Sequence, residues 1–118
     1  MGQSFKDLLV WNRAVQLTVA VYKFTASFPV SEQFGLTSQL RRAAVSIASN
    51  VAEGYGKSTK GEYLLFLGHA RGSKCEVETQ LVISGALGFG SEKERQLAEC
   101  LADEVGRMLV AMMRTLRK

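Results

Sequence analysis

Apolar positions recur every three or four residues along this chain, with no stretch of strict two-residue alternation, and that period predicts helices throughout. The first segment runs from about Asp7 to Ser27, with Ser4 or Asp7 as candidate N-cap and Pro29 closing it. Its apolar face takes in Val10, Trp11, Ala14, Val15, Leu17, Thr18, Val21, Tyr22, Phe24 and Phe28, opposite Arg13, Gln16 and Lys23. Val10 and Trp11 read as core rather than as stacking platforms. A link with Pro29 and Gly35, able to form a short extra turn at Ser31 to Phe34, leads to a second helix. That helix starts near Leu36 to Ser38 and stops at Gly54. The third opens with Thr59-Lys60-Gly61-Glu62, a capping-box pattern, and runs to about Leu87. The fourth opens at Ser91, with Glu94 three residues on, and carries Leu97, Leu101, Val105, Met108, Leu109, Met112 and Leu116. The pattern therefore predicts an all-α fold, an antiparallel up-and-down four-helix bundle forming one domain over residues 1–118.

The second helix is the most informative. Leu36, Leu40, Ala44, Ile47 and Val51 share one face, and Arg42, Ser46, Ser49 and Glu53 share another, with Gln39 and Asn50 beside them. Ser, Asn and Gln are mediocre helix formers, and a merely solvated face is more often built from Lys, Glu and Ala. Small polar side chains in mid-helix therefore read either as a buried hydrogen-bond network with another helix or subunit, or as a ligand-binding stripe. On the third helix, Ser73, Glu76 and Gln80 lie on one stripe with His69. An antiparallel pairing of the two helices sets them against Arg42, Ser46, Ser49 and Asn50, with Arg42 expected to pair with Glu76 or Glu53.

The third helix has a further peculiarity, two apolar seams. Tyr63, Leu67, Ala70, Val77 and Leu81 form one; Leu65, Gly68, Gly72, Cys75, Thr79, Val82 and Ala86 form another, made mostly of small residues. A helix wet on one side needs only one seam. Together with the small-residue polar stripe on the second helix, this seam offers more close-packing surface than one bundle needs and predicts a homo-oligomer.

Composition narrows the class without naming a function. The 118 residues are 47% hydrophobic with a single proline, which excludes disorder as the main state, and no apolar run approaches the roughly 18 residues of a membrane span. Met1 to Lys6 begins like a myristoylation signal but has Lys6 where Ser or Thr is required, and no signal-peptide core follows, so the expected location is cytoplasmic. Cys75 and Cys100, outside any CxxC, read as buried small hydrophobes. The net charge of +4 divides unevenly: through Lys74 nine Lys and Arg stand against four acids, and beyond it six stand against seven. An excess of this size is compatible with nucleic acid and does not demand it. Arg114, Arg117 and Lys118 are accounted for by the dipole of the last helix.

Catalytic and metal chemistry find no footing. Gly56-Lys57-Ser58-Thr59 copies the end of a phosphate-binding loop, but Val51 stands where the first glycine belongs and a helix, not a strand, precedes it. His69 is the single histidine, so no paired-histidine zinc site exists. Its neighbours Ser73 and Glu76 lie on the same helix, where residues rarely converge on a nucleophile. No catalytic residue, metal ligand or cofactor is assigned.

Three stretches in order, FKDLLVWNRAVQL, FPVSEQFGLTSQLRRAAVSIASNVAEG and EYLLFLGHARGSKCEVETQL, resemble the bacterial four-helix-bundle family encoded within intervening sequences of 23S ribosomal RNA genes. That family is similar to the accessory protein of diversity-generating retroelements. The resemblance covers nearly the whole chain. It implies a bundle assembled as a ring, typically a homopentamer, without known enzymatic activity; in the retroelement relatives a basic barrel associates with nucleic acid and a reverse transcriptase. The family motif falls here on Gln39, Arg41, Arg42, Ser46, Asn50, Glu53 and Gly54, then Gly72, Ser73, Glu76 and Glu78. Lys74 stands where the family commonly has an apolar residue, and Ala48 replaces a frequent proline.

The combined expectation is a non-enzymatic oligomeric scaffold that binds RNA or DNA through phosphates, with Arg13, Lys23, Arg41, Lys57, Lys60, Arg71 and Lys74 as candidate contacts. Arg41 leads this set because it lies off the Leu40 to Ile47 core stripe. Gln39, Arg42, Ser46, Asn50, Glu53, Ser73 and Glu76 form the candidate structural network. The competing expectation is a protein-interaction module whose basic surface is incidental.

Overall fold

The computed structural model describes residues 4–118; Met1 to Gln3, where the myristoylation-like pattern begins, lie outside the described residues. A 3₁₀ turn over Phe5–Asp7 precedes α1 (Leu9–Thr25), and a second, Val30–Glu32, precedes α2 (Leu36–Tyr55); α3 (Lys60–Ala86) and α4 (Glu92–Arg117) follow. Ser4 and Asp7 cap the 3₁₀ turn reciprocally, so neither caps α1 itself, which starts from Leu8 without a side-chain cap. Asn12 ties the turn to the start of α1, its Nδ2 donating to the Lys6 and Leu8 carbonyls, each at 3.0 Å. Thr59 and Ser91 cap α3 and α4, each accepting from the backbone N–H three residues on, Glu62 and Glu94.

Each helix packs on two neighbours, α1 on α2 and α4, and α3 on α2 and α4. The four stand at the corners of a square. Side-chain rungs fix the antiparallel sense: Gln39 meets Gln80 and Ser46 meets Ser73 between α2 and α3, while Lys74 lies over Gly106 and Arg95 over Gly85 between α3 and α4. The core holds Leu17, Val21 and Phe24 of α1, Leu40, Ile47 and Val51 of α2, Leu67, Val77 and Leu81 of α3, and Val105 and Leu109 of α4, all fully buried. No described helix is long and apolar enough to cross a membrane.

Several expectations change. Gly54 does not end α2; the helix continues to Tyr55, with Gly56 as its C-cap. Gly54 is buried because α3 passes close, and a Cβ there would sit 2.9 Å from Phe66 Cβ and 3.1 Å from the Tyr63 ring. On α4 the buried line is Ala98, Ala102, Val105, Leu109 and Met113, and Leu97 is exposed. The two alanines, one position over from Leu97 and Leu101, are fully buried in their place. Cys75 and Cys100 are both exposed. Neither belongs to a core stripe: Cys75 sits on the second seam of α3, which this chain leaves uncovered, with Gly72, Thr79 and Ala86 exposed and Leu65 and Val82 more than half so. Where the loop after α3 turns back, Gly90 has φ +72° and lies against Phe24, a position that tolerates no side chain.

Candidate nucleic-acid interface

The α3–α4 groove gathers positive charge. Arg71 and Lys74 from α3 and Arg107 and Arg114 from α4 line a space of about 330 Å³, with Asp103 as its one carboxylate and Gly106, Val110 and Ala111 as its floor. The antiparallel register produces this cluster, because Lys74 opposite Gly106 sets Arg71 one turn further along against Val110. Arg107 and Arg114 are two turns apart, about 10 Å, which matches roughly three phosphate steps of a stacked strand.

The four cations are not equivalent. Lys74 reaches across α4 because Gly106 has no Cβ; one built there would lie 2.7 Å from Lys74 Cε. Its stem packs as an apolar residue would, the side chain is 14% exposed, and Nζ is 2.9 Å from Glu78 Oε1. Arg107 pairs with Asp103 one turn back. Arg71 and Arg114 are exposed and have no ion-pair partner among the described residues, so they present the freest charge.

The other candidate phosphate contacts are dispersed. Arg13 Nε is 3.0 Å from Glu104 Oε2 across the α1–α4 junction. Lys23 and Lys60 are exposed on separate helices, and Lys57 Nζ stands 4.9 Å over the Phe66 ring. Arg41 is half-buried: Nε donates to the hydroxyl of buried Thr25 at 2.8 Å, and the guanidinium lies 4.5 Å from the Tyr22 ring centroid. It clamps α1 to α2, a role that its place off the core stripe did not disclose. Arg114, which the dipole of the last helix accounts for in the sequence, and Arg107 form half of the cluster. Their shared face on α4 was visible in the sequence; the register that sets that face against Arg71 and Lys74 was not.

The polar stripe forms the α2–α3 groove, about 320 Å³, lined by Gln39, Arg42, Ala43, Ser46, Ser73, Glu76 and Gln80. Ser46 and Ser73 hydroxyls are 2.9 Å apart, Asn50 Nδ2 donates to both the carbonyl (2.8 Å) and hydroxyl (2.9 Å) of Ser46, and Gln80 Nε2 makes a long 3.5 Å contact with Gln39 Oε1. The expected pairing of Arg42 with Glu76 or Glu53 is not made: none of the three has an ionic or side-chain hydrogen-bond partner among the described residues. Arg42 and Glu76 share the groove but are exposed, where pairing gains little, and Glu53 lies beyond it. His69 is exposed and packs edge-on to Phe66, 5.6 Å between ring centroids, away from the groove.

Across the bundle from the α3–α4 groove the α1–α2 groove is apolar, and Ser49, expected on the stripe facing α3, lies here instead. Trp11, Val15, Thr18, Val19, Val45, Ala48, Ser49 and Ala52 enclose about 290 Å³, and Val19 and Val45 are nearly half exposed. A displaced pKa lies outside all three grooves. Burial, then the neighbouring Tyr55, raises the Tyr63 phenol above its usual value, and its hydroxyl is buried without a partner among the described residues.

Fold and surface together define a small all-α four-helix bundle whose chemistry is displayed in grooves between helices. The chain belongs to the 23S rRNA-intervening sequence protein family, whose model matches residues 6–111. The crystal structure of a protein of unknown function from the S23 ribosomal protein family of Bacteroides thetaiotaomicron superposes with a TM-score of 0.79 at 18% identity, covering 89% of this chain and 98% of that one. At that identity the likeness establishes the fold alone. No curated protein matches.

Proposed function

We propose that this protein is a cytoplasmic, non-enzymatic, homo-oligomeric scaffold that binds nucleic acid, RNA in the first instance, through phosphate contacts with little sequence preference. The observation that carries the reading is the α3–α4 groove, where four cations stand along about 10 Å and two of them, Arg71 and Arg114, have no ion-pair partner among the described residues. Phosphates are recognised by such charge without reference to base identity. The groove's floor of Gly106, Val110 and Ala111 has no aromatic ring on which bases could stack. Self-association is assigned to the apolar α1–α2 groove, which leaves the basic groove on the outward flank; a ring of five is the arrangement that family resemblance favours. A reverse transcriptase is the partner protein suggested by the retroelement relatives.

The test is fluorescence anisotropy with a structured RNA, comparing the wild type with Arg71→Ala, Arg114→Ala and, as a remote cation, Lys23→Ala. Several-fold losses for the first two and none for the third are expected. Equal losses for all three would assign the binding to net charge rather than to the groove.

A second reading, a protein-interaction module, is favoured by the exposed apolar side chains of the α1–α2 groove and by Leu65 and Val82 on α3. A specific partner protein retained after nuclease treatment and lost in Val45→Asp would support it.

A further inference from the structure

The α2–α3 groove holds two opposite charges that exposure leaves unjoined and open to a ligand. Two rungs bound it, Gln39 with Gln80 and Ser46 with Ser73, seven residues apart on each helix and so about 10 Å. In this register Arg42 of α2 faces Glu76 of α3 midway between the rungs, yet the two are not joined. Gln80 adds a buried acceptor, Oε1, with no partner among the described residues. A slot of about 320 Å³ therefore holds one unpaired cation, one unpaired carboxylate, and amide and hydroxyl groups at both ends.

From this geometry we propose that the α2–α3 groove is a ribonucleotide subsite, in which Arg42 binds a phosphate and Glu76 accepts a hydrogen bond from the ribose 2′-hydroxyl; this rests on the nucleic-acid reading above. A carboxylate repels phosphate, so its presence in a nucleic-acid site calls for a donor on the ligand. The 2′-hydroxyl is the donor that RNA has and DNA lacks. Carboxylates recognise ribose hydroxyls in this way in dinucleotide-binding folds. Gln39 and Gln80 carry both donors and acceptors and suit a base edge, with Gln39 Oε1 and Gln80 Nε2 exposed at the mouth of the groove. The subsite adjoins the basic groove, since α3 supplies Ser73, Glu76 and Gln80 to one and Arg71 and Lys74 to the other. About 10 Å of helix separates them, a distance that roughly three stacked nucleotides cover. The ridge between is low: a Cβ added at Gly68 or Gly72 meets nothing within 4 Å. The basic groove supplies affinity for any phosphate chain, and the polar groove selects RNA.

The experiment measures the affinity of the full chain for a short fluorescent single-stranded RNA and for the DNA of the same sequence, deoxyuridine replacing uridine, at one moderate salt concentration. The wild type is expected to prefer RNA about tenfold, the effect of one charge-assisted hydrogen bond. Glu76→Ala should remove the preference by weakening RNA and leaving DNA unchanged or tighter, Glu76→Gln should restore part of it, and Arg42→Ala should weaken both. Glu76 and Arg42 are exposed, so the variants are expected to fold, and unchanged circular dichroism and melting midpoint verify it. Equal wild-type affinities, or a preference that survives Glu76→Ala, would overturn the subsite while leaving phosphate binding in the basic groove intact. If the wild type binds neither strand, both readings fall together.

Discussion

The α1–α2 and α3–α4 grooves lie on opposite flanks of the bundle and enclose similar volumes, about 290 and 330 Å³, yet one presents valines and alanines and the other four cations. Bundle geometry produces both, since any two packed helices leave a groove between them, and it assigns no task to either. The difference comes from residues just outside each core stripe, Val19 and Val45 on one flank, Arg71 and Arg114 on the other. An apolar groove gains by excluding water against another apolar surface, whereas a cationic groove gains by releasing counterions from a polyanion. The two flanks should therefore fail independently.

A pair of variants should separate the flanks most strongly. Removing Arg71, Arg107 and Arg114 together (to Ala) should cost about 100-fold or more in nucleic-acid affinity at moderate salt, close to 2.7 kcal/mol, without altering solution mass. Val45→Asp should do the converse, lowering the mass by analytical ultracentrifugation while leaving the affinity per chain nearly intact. If the arginine variant lowers the solution mass and the aspartate variant abolishes RNA binding, the assignment of flanks is reversed.

Arg41 crosses the divide between the flanks. It is a cation, but its hydrogen bond to Thr25 and its place over Tyr22 make it part of the α1–α2 junction. Arg41→Ala should destabilise the fold by about 1–3 kcal/mol through removal of the charged hydrogen bond, read as a lower denaturant midpoint, with a smaller effect on RNA affinity than Arg114→Ala. Equal stability and a large binding loss would return Arg41 to the phosphate contacts.

Smaller effects separate structure from function in the polar groove. Ser46→Ala leaves the Ser73 hydroxyl and the Asn50 amide short of a partner and should cost roughly 1–2 kcal/mol; Ser46→Ala with Ser73→Ala should recover part of it, since removing both partners is cheaper than orphaning one. The smallest effect is expected at Tyr63, which belongs to neither flank. Its phenol titrates above the unfolded value near 10, so its contribution is complete below about pH 10 and declines as pH rises through the folded value. Tyr63→Phe should hold or raise the melting midpoint at neutral pH, remove a buried unpaired hydroxyl, and reduce the alkaline loss of stability.

Helix number, order and most boundaries were legible because the 3.6-residue period and the capping residues Thr59 and Ser91 are local signals. The polar stripe was legible for the same reason: Ser46 meets Ser73 and Gln39 meets Gln80 across the α2–α3 groove, with Asn50 joined to Ser46 along α2. What was not legible depends on register and close approach. Gly54 looks like a helix terminator unless the proximity of Phe66 and Tyr63 is known. Charge counted along the chain puts the basic excess before Lys74, but α4 carries its acids mainly toward its start and its arginines toward its end. Folding α4 back on α3 brings those arginines beside Arg71. Lys74 shows the same dependence, resting its stem on a glycine thirty-two positions away.

Phosphate binding in the α3–α4 groove is tested most directly by the slope of log affinity against log salt for a structured RNA. Each phosphate–cation pair removed should reduce the slope by roughly 0.7–0.9. A steep negative slope is expected for the wild type, and one about two units shallower when Arg71, Arg107 and Arg114 are replaced by alanine. A slope that is the same in both proteins, or a wild type whose affinity does not respond to salt, would contradict phosphate binding there.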